Sequence, residues 1–127
     1  MSCAAVGPRE SDRARLLPFS ASGAGIEARR PGLLGGLLGR ERKVDAKFLD
    51  VSSVGLRFLS NRRLPLETPL RLTVTFSSGL VEFQGRVRWV HPEGRTERFI
   101  VGVAFGRLTE VQLQRLEQAR AAALRTA

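Results

Sequence analysis

A chain of 127 residues with 43% hydrophobic and 26% charged side chains has room for one packed domain and little more, and this balance excludes a disordered or collagen-like class. A single cysteine, Cys3, excludes an intrachain disulfide framework and a cysteine metal cluster, and it fits a reducing, cytoplasmic setting. The net charge is +9 and 19 of the 21 basic residues are arginines, a bias toward the planar cation that grips phosphate bidentately, although a genome rich in G and C produces the same bias.

In chain order, residues 1–8 are small, polar or proline-terminated and read as a disordered N-terminus. They have neither the basic start nor the apolar run of a secretory signal. No stretch reaches the ~20 apolar residues of a membrane span. The rest, residues 9–127, reads as a single domain. Residues 9–15 are a basic arm leading into a short strand that ends near Phe19. Residues 29–43 read as a Gly/Leu-rich insertion in which Gly-Leu-Leu-Gly occurs twice between 32 and 39. The glycines oppose a stable helix, and the paired leucines oppose a solvated linker. Two readings stay open for it: an insertion packed on the domain, or an apolar flap or partner-docking loop.

Residues 44–107 carry a strand period. Val44, Ala46 and Phe48 alternate with Asp45, Lys47 and Leu49. Asp50 to Val54 reads as a turn, and Gly55 opens a strand that ends at Leu59. After a loop with Pro65 and Pro69, Leu70, Leu72, Val74 and Phe76 alternate with Arg71, Thr73 and Thr75. Ser77, Ser78 and Gly79 form a three-residue hairpin turn. Val81, Phe83, Val87 and Trp89 then share one face, which places Trp89 in the core rather than on a base-stacking platform. Gly85 falls on that face, where it would let the strand bend. His91 is the only histidine and has no cysteine or carboxylate cluster near it, so it is not read as a metal ligand. No nucleophile–base arrangement surrounds it, and the chain is not expected to be an enzyme. Phe99, Val101, Val103 and Phe105 close the sheet. Thr109 and Gln112 make a capping box for a helix over 109–125, with Leu113, Leu116 and Leu124 on its apolar face. The expected class is all-β: a small antiparallel six-stranded barrel with a C-terminal α-helix.

Three segments resemble the PilZ domain family. Asp50-Val51-Ser52-Ser53-Val54-Gly55 matches its [D/N]-x-S-x-x-G turn between two early strands. Gly85-Arg86-Val87-Arg88-Trp89 resembles its late G-x-V-x-W strand, and residues 99–105 (FIVGVAF) its closing strand. Upstream, Arg9-Glu10-Ser11-Asp12-Arg13 fits the family's R-x-x-x-R motif. The span from Arg13 to Asp50 is longer than the family pattern, and Glu10 and Asp12 place acids within the arginine motif.

The resemblance implies a receptor for cyclic di-GMP, a ligand with two phosphates and two guanines, with no further cofactor and no metal. Arg9 and Arg13, with Arg15 in reserve, would pair with phosphate or with guanine O6 and N7. Asp50 would accept from the paired N1–H and N2–H₂ donors of a guanine edge, and Ser52 would add a short hydrogen bond. Gly55 would supply a backbone turn with positive φ or admit the ligand closely. The arm would clamp the dinucleotide against the turn and signal to a downstream protein partner. An alternative within the same family is a protein adaptor, as in pilus or motility systems, that binds no nucleotide. A basic barrel that binds RNA or DNA ranks last, because the aromatics fall mostly on apolar faces.

Overall fold

The computed structural model describes residues 17–30 and 42–126. Arg9, Arg13 and Arg15, with the leucine pairs of residues 32–39, lie outside the described residues. Among the described residues there are seven strands and one helix: β1 (Gly25–Arg30), β2 (Arg42–Val44), β3 (Lys47–Val51), β4 (Gly55–Ser60), β5 (Pro69–Phe76), β6 (Gly79–Pro92), β7 (Phe99–Phe105) and α1 (Glu110–Thr126). The strands form one sheet in the order β2-β1-β5-β6-β7-β4-β3, antiparallel at every pairing.

That order dictates curvature. β2 and β3 lie at opposite edges, yet only Asp45 and Ala46 separate them in the chain. Edges of a flat seven-stranded sheet would stand roughly 29 Å apart at about 4.8 Å per strand. Three Cα steps span at most about 11 Å. The sheet therefore curls until its edges approach. β1 touches β3, and Phe19 pairs with Val51 through two backbone hydrogen bonds of 2.9 Å.

The all-β, barrel-like class with a C-terminal helix therefore holds, with seven strands instead of six. Two differences from the expected strands account for the count. The alternation at 44–49 is not one strand: it breaks at Asp45 and Ala46, where the chain leaves one edge of the sheet and enters the other. The stretch around Phe19 contributes only an isolated bridge, while Gly25–Arg30 supplies β1. β1 was hard to read because its inward face holds only Ile26 and the fully buried Ala28 before Arg30. The β5–β6 turn is also one residue tighter than expected. Phe76 pairs directly with Gly79, whose φ of 131° suits only glycine.

The alternating residues of β5, β6 and β7 fill the core. Phe58, Leu72, Val74, Phe83, Val87 and Val101 are at most 1% exposed. Phe83 stacks on Phe105 with ring centroids 4.4 Å apart. The helix begins as the capping box requires. The Thr109 N–H donates to Gln112 Oε1 at 2.8 Å, and the Gln112 N–H donates to Thr109 Oγ1 at 3.1 Å. Gln112 Nε2 also donates to the Glu82 carbonyl at 2.8 Å, which pins the first turn of α1 to β6. Leu116 and Ala119 are the fully buried helix residues, whereas Leu124 is exposed rather than part of the packing face. No helix among the described residues is long and apolar enough to cross a membrane.

Replacing Phe83 by Ala removes a fully buried ring and its stacking partner's contact. The expected cost is about 3–5 kcal/mol, read as a lower denaturation midpoint at unchanged slope in urea.

Candidate functional site

Two β-bulges build the most distinctive feature of the outer surface. In β3–β4, Phe48 pairs with Phe58, but the next pair is Asp50 with Arg57. Leu49 is the extra residue. Were Leu49 paired with Arg57 in a regular ladder, strict alternation would bring Asp50 opposite Leu56 and onto the core face. The extra residue instead sends Val51 inward with Leu56 and turns Asp50 outward with Arg57. In β6–β7, Val87 pairs with Val103, but the next pair is Trp89 with Gly102. Arg88 is the extra residue here, and it turns Trp89 outward by the same step.

Trp89 is therefore not in the core, contrary to the reading from its periodicity. It is half-buried on the outer face. A Cβ at position 102 would overlap its indole ring, so the ring lies directly over the Gly102 backbone. Because Arg57 also pairs with Gly102 across β4–β7, four strands present one lateral row: Asp50, Arg57, Gly102, Trp89. Successive members are one strand spacing, about 4.8 Å, apart.

The Asp50 carboxylate is engaged. Arg57 Nε donates to Oδ1 at 3.0 Å and to Oδ2 at 3.1 Å, and Nη2 also donates to Oδ2. The hydrogen bond to Asp50 outweighs the opposing effect of burial and, with a smaller contribution from the carboxylate's charge, raises the Arg57 pKa above its ordinary value, so this guanidinium stays cationic throughout the working range. On the other flank Arg88 Nη1 donates to Glu67 Oε2 at 3.1 Å, with both side chains more than half exposed. An exposed pair of this kind contributes about 0–1 kcal/mol, whereas the Asp50 carboxylate is only 19% exposed.

The turn after Asp50 is held by its own atoms. The Ser52 N–H donates to the Gly55 carbonyl at 2.8 Å, and Ser52 Oγ accepts from the Val54 N–H at 3.2 Å. Its hydroxyl retains a further acceptor lone pair, though the residue is only 6% exposed. Gly55 has no positive φ. Its need for glycine comes from β7, because a Cβ there would collide with the Val103 carbonyl oxygen. The Phe105 N–H donates to the Val54 carbonyl at 2.9 Å and anchors the turn to that strand.

Asp50, Ser52, Gly55, Arg57, Arg88 and Trp89 line a single open cleft of about 410 Å³, which Pro18 borders. Asp50, Ser52 and Gly55 are thus brought together, whereas Arg9 and Arg13 lie outside the described residues. Arg57, Trp89 and Gly102 had not been read as site residues. A larger cleft of about 550 Å³ runs between β1, β5, β6 and the start of α1. Its charges are mixed: Glu27 and Glu82 share its wall with the arginines. Arg29 is paired to Glu27 at 2.8 Å, and that hydrogen bond and charge hold the Glu27 carboxyl below the usual carboxylate range. The smaller cleft offers the better anion and base site.

A curled antiparallel barrel with a polar turn and an aromatic side chain at one open cleft defines a β-barrel binding module. The PilZ domain family model matches residues 35–121, and the chain belongs to that family, whose members are binding and adaptor modules. A comparison with curated proteins gave no match.

Gly102→Ala should force the indole off its floor. Since Trp89 is the chain's one tryptophan, the emission maximum should shift to the red, and stability should fall by about 1–3 kcal/mol, the usual cost of overpacking. Unchanged emission would show that the indole does not rest on this glycine.

Proposed function

We propose that the chain is a cyclic di-GMP receptor, whose cleft takes one guanine at Asp50 and whose arm arginines take the phosphates. The observation that carries this reading is the convergence of Asp50, the Ser52 turn and Trp89 on one cleft. A carboxylate complements the paired N1–H and N2–H₂ donors of guanine. An indole face beside it complements a flat base. Neither feature would be expected of a surface selected only for solubility.

The long sequence span between Arg13 and Asp50 does not by itself put the arm out of reach of the turn. Pro18 already borders the cleft, and Phe19 is hydrogen-bonded to Val51, next to Ser52. Five residues from Pro18 back to Arg13 reach up to roughly 17 Å, and nine residues back to Arg9 up to roughly 31 Å. The strands between, β1 and β2, form one side of the barrel and return the chain to its starting edge. Charge-assisted hydrogen bonds contribute about 1.5–3 kcal/mol each. Three or four of them approach the about 8 kcal/mol of micromolar binding, once part is spent ordering the arm.

One observation favours the adaptor alternative. Arg57 satisfies the Asp50 carboxylate from within the chain, so the turn is complete without nucleotide. Signalling to a downstream protein partner belongs to both readings.

Calorimetry with cyclic di-GMP separates them. Heat of binding is expected at about 100 μM protein, in the range of a weak specific site. Asp50→Ala and Arg13→Ala should each weaken binding at least tenfold, about 1.4 kcal/mol, and deletion of residues 1–15 should abolish it. An intact chain that gives no heat while still capturing a protein partner would be an adaptor.

A further inference from the structure

The Arg57–Asp50 contact imitates the ligand. Arg57 approaches the carboxylate through Nε and Nη2, two roughly parallel N–H donors on a planar, delocalised group. The guanine edge presents N1–H and N2–H in the same paired fashion. Both would use the same two oxygens from the same side, so a guanine seated on Asp50 displaces at least part of the Arg57 fork. We propose that Arg57 is itself a ligand-contacting residue: it holds the Asp50 carboxylate in the orientation that a guanine edge requires, and it passes its guanidinium to a phosphate of the ligand as guanine takes the acid. The inference rests on the cyclic di-GMP reading and adds to it a residue outside the family-like motifs.

Three observations support the transfer. The Arg57 side chain is 47% exposed, so it can turn without leaving a buried cavity. Across β4–β7 its neighbour is Gly102, whose backbone the Trp89 indole covers, so Arg57 stands between the acid and the aromatic face. Both Arg57 and Arg88 line the cleft, but Arg88 is held by Glu67 on the flank away from Asp50. Arg57 is thus the lining cation whose partner the guanine would take. A guanidinium released over the cleft needs a new anion, and a cyclic dinucleotide brings two. Arginine meets phosphate through the same bidentate fork that it uses on a carboxylate.

Trp89 lies in the cleft and is the sole tryptophan, so its emission reports titration of the full chain with cyclic di-GMP. Arg57→Gln should raise Kd about tenfold at about 50 mM salt, and the deficit should shrink to about threefold or less at about 500 mM, because an exposed ion contact is screened. Arg57→Lys keeps the charge and loses the fork, so it should recover about half of the loss on a logarithmic scale. Lys also carries the test should the Gln variant fold poorly. Binding that is tighter or unchanged in Arg57→Gln would overturn the inference while leaving the receptor reading intact, since Arg57 would then only mask Asp50. A deficit equal at both salts would also overturn it, assigning Arg57 to positioning of the carboxylate alone. A wild-type chain that binds no cyclic di-GMP by emission or by heat would overturn both.

Discussion

The outer surface of this barrel depends on two single-residue insertions into its ladders, Leu49 in β3 and Arg88 in β6. Side chains in a strand alternate with a period of two, so one extra residue reverses every side chain beyond it. At β3 the reversal moves an acid out of the core and a valine in. At β6 it moves a tryptophan out. Each change is energetically sensible by itself: an uncompensated carboxylate inside would cost several kcal/mol, whereas Val51 is fully buried and packs there. Together they do more than avoid a penalty. The bulged strands flank β4 and β7, so Asp50 and Trp89 end in one lateral row with Arg57 and Gly102 between them. The spacing of a β-sheet then sets the spacing of the site.

Two ion pairs flank the cleft on this face. Glu67–Arg88 is more than half exposed on both sides and adds little to folding, whereas Asp50–Arg57 joins a half-exposed guanidinium to a carboxylate that is only 19% exposed. Glu67 even holds a backbone φ of 66°, an uncommon conformation for a residue with a Cβ. Its backbone explains why it is kept there. Its N–H donates to the Val87 carbonyl at 2.7 Å, and the Thr68 carbonyl accepts from the Val87 N–H at 3.0 Å. The loop thus braces β6 at the residue just before the Arg88 bulge. The cleft's side chains are thus carried on a braced strand backbone.

Much of this fold was legible in the sequence because burial and periodicity agreed. The alternations of β5 and β7 and the capping box of Thr109 and Gln112 form the elements they encode. The turn at Asp50, Ser52 and Gly55 was legible as a motif. What escaped were features set by the partner strand. Periodicity along β6 placed Trp89 inward because nothing in β6 alone announces a bulge; the missing Cβ of Gly102, on β7, is what receives the indole. Gly55 was expected to serve a turn or a ligand, yet the constraint on it is a carbonyl of Val103 across the ladder. Arg57 was anonymous among 19 arginines until register placed it opposite Asp50. β1 was missed because a small residue, Ala28, carries its inward face.

Closure of the barrel links these local features to the chain's N-terminal side. β2 and β3 are consecutive in sequence and opposite in the sheet, so the edges meet where Phe19 bonds to Val51. Phe19 also packs against Phe76, with ring centroids 6.0 Å apart, and Phe48 meets the same ring edge-on at 5.9 Å. This aromatic group packs along the seam. Any segment leading into Leu17 must therefore enter beside the Ser52 turn, whatever its own conformation. Ordering such a segment costs about 1–2 kcal/mol per residue. Because its attachment point is fixed by two backbone hydrogen bonds and a ring contact, that cost begins only upstream of Leu17. The seam that curls the sheet thus also fixes where the chain preceding Leu17 meets the Ser52 turn.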